Sequence, residues 1–363
     1  MSAEASAVDL QPTVALTASW RSRTLALFLL AAIAGIFWVD SRYPALLKRY
    51  HAGAQVKAAG ALTFQTVYPV DRSMPLSTRV WRTTLNWLDA NRIGMTFSFL
   101  FGPAALTFLA MIGRRRTNSI YLNTLFGAAA GAPLAVCTNC IAPIARGFYA
   151  AGLSTESVLA AMFASPALNV VVLAMTFALF PAAVALLKLA TVLFLIFVFA
   201  PGVVAREGNT AAVVPSPVDI SVAETWGQAL RSTGKSFGKS FWYVFRVAFP
   251  LMILAALLGA VVIELLPAQA LVAQVTVGGI ILVALIATFL PVPMAFDVAI
   301  AYIAMSKGVP LPYVVTILCT LGIVSVFSLS VVGKTISWKV AGAAYLTVVG
   351  LGIVAGLIAR VLL

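Results

Sequence analysis

Charge is what this sequence has least of. Only 10% of its 363 residues are Asp, Glu, Lys or Arg, while 62% are hydrophobic. A water-soluble domain carries about a quarter charged residues and about half apolar ones. So little polar surface cannot coat a soluble globule of this size, which excludes an ordinary cytosolic enzyme and a disordered chain. Acids are scarcest: 11 against 24 bases, a formal net charge of +13. The bases are scattered rather than gathered among aromatics in one basic domain, which argues against nucleic acid as a partner. In a polytopic chain such an excess marks loops kept on the cytoplasmic side. One histidine, His51, gives no histidine-built zinc or haem site. Three cysteines, Cys137, Cys140 and Cys319, are too few for a disulfide framework.

What the sequence does have is long apolar runs. They predict an all-α polytopic membrane protein with about nine full transmembrane helices and two broken or re-entrant segments. A tail over 1–23 leads into a first helix over 24–39, with Arg21 and Arg23 before it and no cleavage site after it. This reads as a retained helix with a cytoplasmic N-terminus. Residues 40–92 form the longest hydrophilic stretch. Its end, from Arg79 to Asp89, carries apolar residues at helical spacing and predicts an interfacial helix on the membrane. A first half over 93–204 holds spans near 93–112, 118–136, 155–180 and 182–204. A polar linker over 205–240 contains Gly208, Pro215, Pro217 and Asp219. A second half over 241–363 holds spans near 241–265, 270–290, 309–332 and 338–360.

Residues 137–153 and 292–307 do not fit this list. Both are apolar but short, and Pro or Gly interrupts them. Laying Gly152 on Gly308 also lays Leu134 on Leu290 and the 155–180 span on the 309–332 span. Interrupted segments at equivalent places in two halves point to the binding site of a transporter. Charge tests whether they cross the membrane. If both do, Arg114 to Arg116, the linker bases Arg206, Arg231, Lys235 and Lys239, and Lys334 and Lys339 all face the cytoplasm. That predicts an inverted repeat of five elements per half. Arg42, Lys48, Arg49, Arg79 and Arg82 then lie outside, in a long stretch of the kind that obeys the charge rule poorly.

The sharpest local motif runs from Pro133 to Pro143 and brackets a Cys-x-x-Cys formed by Cys137 and Cys140, with Thr138 and Asn139 between them. Pro143 cannot continue the helical ladder, so a carbonyl near residue 139 is freed beside the thiols. Such a pair can be a redox couple, a soft-metal ligand pair or simple packing. A second motif, Ala164 to Asn169, sets Ser165 and Pro166 one turn before Asn169 at a predicted kink. These polar groups either brace a neighbouring helix or form a wall facing substrate.

The stretch from Gly131 to Thr176, with its Cys-Thr motif, Pro143, Gly147, Gly152 and the Ala-Ser-Pro-Ala-Leu-Asn block, resembles the predicted permeases of the ArsP/YraQ type. The resemblance covers most of 93–360. It implies a polytopic permease, in a family where some members export trivalent organoarsenicals, and it implies a bacterial inner-membrane location. Family members commonly read Cys-Ser-Cys-Gly; here Asn139 replaces the second Cys and Cys140 is displaced by one residue. On a helix, positions 137 and 140 share a face where 137 and 139 would not.

Two charges fall inside the interrupted segments. Asp297 is expensive in lipid and predicts a cavity-facing or paired carboxyl that serves in coupling, with Arg146 as its counter-charge. Glu156 and Glu264 read as interfacial, and Lys188 as snorkelling to the surface. The function expected is a secondary-type permease for a small solute, such as a soft thiol-reactive species, rather than an enzyme. A membrane scaffold or a thiol-dependent redox protein are the alternatives. Substrate would meet Cys137, Thr138, Asn139, Cys140, Ser165, Pro166 and Asn169. No cofactor is expected, and no metal site beyond the two thiols. The expected partners are the bilayer and the solute, with homo-oligomers compatible.

Overall fold

The structure is a computed structural model that describes residues 19–44, 47, 67–71, 73–112, 117–207, 224–265 and 275–362. The expectations for the tail before residue 19, for Lys48, Arg49 and His51, for Arg114 to Arg116 and for the proline-containing part of the linker lie outside the described residues. The described residues fold into helices and form no strand, as an all-α polytopic membrane protein.

Helix α1 (Trp20–Phe37) starts ahead of the expected 24, because the Ser19 side chain caps it by accepting from Ser22 N. It ends in a π turn, Trp38–Arg42. Helix α2 (Leu76–Ile112) is one element of 37 residues. At 1.5 Å per residue it reaches about 55 Å, well beyond a hydrocarbon core of about 30 Å. The amphipathic 79–89 stretch is therefore the projecting end of a span, not a separate interfacial helix. The same holds for helix α9 (Trp226–Leu265), whose 40 residues absorb the second part of the expected linker.

Between these long helices lie short ones. In the first half, α3 (Ile120–Gly131) ends in a 3-10 turn, Ala132–Leu134. Then follow α4 (Thr138–Ala150), α5 (Thr155–Ala167) and α6 (Val170–Leu179). A long helix closes the half: α7 (Ala182–Phe194) continues through a π turn, Leu195–Phe199, into α8 (Ala200–Glu207). The second half has α10 (Val277–Phe289), α11 (Phe296–Ser306), α12 (Leu311–Thr320), α13 (Val326–Thr335) and the long α14 (Trp338–Leu362). Five helices are long and apolar enough to cross a membrane among the described residues, or six if α5 and α6, bent by 47°, count as one. Helices of 10 to 13 residues reach only about 15–20 Å and cannot cross a bilayer alone. Among them α4 is shielded by the rest of the bundle, buried from Thr138 through Phe148.

The two halves run through a similar order of elements. The spans expected at 155–180 and 309–332 are each broken into two helices. Asn169 caps α6 and Ser325 caps α13, and these two stand as far apart in the chain as Gly152 and Gly308. Both glycines have positive φ, 86° and 79°, and close the same helix ending. Leu153 N donates to Phe148 O, and Val309 N to Ala304 O. This six-residue reach behind a left-handed residue satisfies the last carbonyls of α4 and α11. The first helices of the two halves, α2 and α9, pack antiparallel: Arg79 of α2 pairs with Glu264 of α9 at 2.8 Å, and Thr107 meets Ser240 at 3.2 Å. The short helices exchange neighbours across the halves, α4 lying on α13 and α11 on α6.

Close packing fixes α3 against α5. A Cβ at Gly127 would stand 2.1 Å from Ser157 O, and one at Gly131 2.4 Å from Ala161 O. These two glycines, four apart, let the backbones touch, which is how membrane helices gain van der Waals contact without a hydrophobic driving force.

Candidate functional site

The approach to α4 is non-helical from Ala135 to Cys137. Ala135 holds a left-handed conformation with φ 48°, which costs an L-residue about 1–2 kcal/mol. Ser165 of α5 clamps the next residue: its hydroxyl accepts from Val136 N at 3.3 Å and can donate to Val136 O at 3.4 Å. Cys137 then caps α4, its Sγ accepting from Cys140 N at 3.2 Å. Both thiols are free and buried; Cys137 lies ahead of the first helical residue, so it meets the first turn as a cap rather than along a helix face. Cys137 Sγ also lies 3.6 Å from Asn91 Oδ1 of α2. Gly94 of the same helix makes room for Cys140, since a Cβ there would stand 2.6 Å from its sulfur.

The residues between the thiols reach into the second half. Asn139 Nδ2 donates to Val292 O at 3.1 Å, and Ser325 Oγ donates to Asn139 Oδ1 at 2.7 Å. Thr138 Oγ1 donates to Ile323 O at 3.2 Å. The first turn of α4 is thus held by both irregular segments of the other half, the one before α11 and the one between α12 and α13. Ser325 and Ser328 cap α13 reciprocally, so the anchor for Asn139 is itself fixed.

Asp297 lies in the other interrupted segment, in the first turn of α11 and four residues past the position that the Gly152–Gly308 register lays on Cys137. Ala295 is left-handed with φ 64°, and Asp297 follows it by two residues, as Cys137 follows Ala135. Its partner corrects two expectations. The carboxylate is paired with Lys188 of α7, and both are buried. Lys188 therefore does not snorkel; its ammonium is neutralised inside the bundle, as a charge in an apolar core requires. Arg146 is not the counter-charge of Asp297. Its guanidinium lies 4.3 Å from the Tyr243 ring centroid and donates to Thr335 Oγ1 at 3.1 Å. Glu156 departs from expectation too: it is 1% exposed and accepts from Asn123 Nδ2 at 2.9 Å, so it is buried rather than interfacial.

The thiol cluster and the ion pair are joined by one loop, Leu321 to Ser325. Ile323 and Ser325 hold Thr138 and Asn139. Gly322, with φ 78°, passes so close to Asp297 that a Cβ would stand 3.2 Å from the aspartate Cβ. A side chain there would be strained by φ and tight against the aspartate. Asn169 acts locally: its Oδ1 accepts from Val172 N and its Nδ2 donates to the carbonyls of Ser165 and Pro166. It satisfies the groups that the break at Leu168 leaves open and so braces Ser165. Among the described residues no group of three or more His, Cys, Asp or Glu side chains is placed to hold a metal ion.

An apolar helical bundle whose two halves are joined by buried polar residues fits the class of multi-pass membrane transport proteins. Residues 92–361 match the family described as a predicted permease, ArsP_1, and the chain belongs to that family. It is similar to the UPF0718 protein YraQ of Escherichia coli (strain K12), 26% identical over 232 residues, which are 64% of each chain. The chain thus spans just under two thirds of the length of that relative. No solved structure matches it.

Proposed function

We propose that this chain is a secondary-type permease that moves a small solute by alternating access, with Cys137 and Cys140 as soft ligands for a thiol-reactive species such as a trivalent arsenical. The observation that carries this reading is the double anchoring of the thiol turn: Cys137 and Cys140 sit in one half while Asn139, between them, is held by Val292 and Ser325 of the other. A solute captured by the thiols would perturb the contact along which the halves must move. Thr138 and Asn139 would read out occupancy, while Ser165, Pro166 and Asn169 would shape the wall.

Soft thiolates suit As(III). Each As–S bond that forms displaces a hydroxide, which leaves with the thiol proton as water. Hydrolysis reverses the step, so capture and release balance without an oxidant. The antiparallel pairing of α2 with α9 supports reading the repeat as inverted. Asp297, paired with Lys188 beside the shared loop, would serve as the coupling charge. We place the protein in a bacterial inner membrane with its N-terminus in the cytoplasm, working in efflux.

Cys137→Ser tests the reading. Serine is at least as good a helix cap, so α4 keeps its start while the soft ligand is lost. Arsenical accumulation in everted vesicles, where cellular efflux reads as uptake, should vanish while expression persists; full activity in the variant would overturn the thiol role.

A further inference from the structure

A cavity of about 450 Å³ lies between α1 and α2, within the size range of small-molecule sites. Its walls are aliphatic, with Ile33 and Ile36 from α1 and Ile93 and Leu100 from α2. Ile36, Ile93 and Leu100 are also exposed on the outside of the bundle, so the cavity opens sideways toward lipid. One end is polar, where Asp40, Ser41 and Arg92 supply charges of both signs and a hydroxyl. The inner wall is Phe37 stacked on Phe97, with ring centroids 3.9 Å apart.

The thiol pair belongs to the same buried cluster as Phe37 and Phe97. Arg42 sits over the Phe37 ring, 4.4 Å from its centroid. On α2, Gly94 touches the Cys140 sulfur while its neighbour Ile93 lines the cavity. Helix α1 lies outside the residues that match the family. One wall of this cavity is therefore an addition to the family core.

We propose that the cavity is a lateral portal, through which an apolar molecule with one small polar or charged head passes from the bilayer to the thiols, with the Phe37–Phe97 stack as its door. The aliphatic walls fit the body of such a molecule, and the Asp40–Ser41–Arg92 rim fits a head of either charge. The proposal rests on the reading of Cys137 and Cys140 as substrate ligands.

The test is thiol labelling of the full-length protein in liposomes. It compares bilayer-soluble N-pyrenylmaleimide with a charged, water-soluble methanethiosulfonate, and peptide mass mapping resolves each cysteine. Ile93→Trp fills the cavity from its exposed wall and should slow pyrenylmaleimide at Cys137 and Cys140 about tenfold; Phe97→Ala should speed it by about as much, the upper end of what one aromatic pair contributes. Reaction with the charged reagent, and with the distant Cys319, should not change. Unchanged pyrenylmaleimide rates, or equal changes with both reagents, would overturn the portal. If Phe97→Ala fails to fold, Ile93→Trp decides alone, since it leaves the core intact. Labelling is read without transport, so a Cys137→Ser variant that still transports would sink the thiol reading while leaving the portal result in place.

Discussion

The two halves of the bundle share a scaffold and differ in what they carry on it. Each brings a left-handed alanine to the approach of a short helix, ends that helix on a left-handed glycine, and follows it with a broken helical pair. Two residues past the alanine, however, the first half presents the Cys137 thiol and the second presents the Asp297 carboxylate. The first half meets its opposite through neutral hydrogen bonds from Thr138 and Asn139. The second meets its opposite through a buried ion pair. The two interrupted segments thus carry different chemistry near the starts of their helices, one soft and neutral, the other hard and charged.

The difference sets an order of fragility. Asp297→Ala leaves Lys188 buried without its partner and should cost about 3–5 kcal/mol. Thermal unfolding in detergent would record this as the largest loss, and Lys188→Met added to Asp297→Leu should recover most of it. Little loss from the single change would mean that the pair is not desolvated. Asn139→Ala strands the Val292 carbonyl and the Ser325 hydroxyl and should cost about 1–3 kcal/mol in the same assay. Cys137→Ala removes the cap of α4 for about 1 kcal/mol, whereas Cys137→Ser should leave stability unchanged and abolish efflux. Ala135→Gly and Ala295→Gly probe the shared frame. Each relieves a left-handed alanine at the expense of a more flexible unfolded chain, so both should stabilise by about 0.5–1 kcal/mol. Unequal gains would show that the two approaches are not equivalent.

The smallest effect is one of pH, at the exposed edge. Burial works to raise the Glu224 carboxyl, but the hydroxyls of Ser19, Ser22 and Ser232 outweigh it and hold the group below its ordinary 4.5. A lowered folded value gives stability that is present above 4.5 and lost as pH falls through the folded value. Proteolysis between α1 and α2 should therefore accelerate on acidification in the wild type and be fast at every pH in Glu224→Gln.

Much of this was legible in the sequence. The two interrupted segments, their alignment through Gly152 and Gly308, and Asp297 within one of them follow from hydropathy, because a charge or a glycine stands out where almost everything is apolar. The breaks were less legible. Pro166 predicts a kink, yet the helix parts one turn later, because the Asn169 side chain supplies the cap that lets the ladder end there. Its counterpart Ser325 had a signal, the repeat register, but nothing apolar or charged to draw attention. Lys188 was hidden for another reason: its pairing with Asp297 joins residues 109 apart, and a lone lysine near a span end looks the same whether it reaches outward or inward. Asn91 and Gly94 gave no signal at all, since their part in the thiol site depends on α2 continuing unbroken through the amphipathic stretch.

Helix α1 is tied at both ends. Near its start Ser19, Ser22 and Arg21 bond to Glu224, and Trp20 stands edge-on to Trp226. At its far end Trp38 donates to Pro133 O. The first tie joins residues more than 200 apart, and synthesis at about 5–20 residues per second leaves α1 waiting about 10–40 s for its partner to emerge. Helix α1 is thus clasped only after the first half is complete, and a ribosome that stalls within the linker would leave that half with its N-terminal clasp still open.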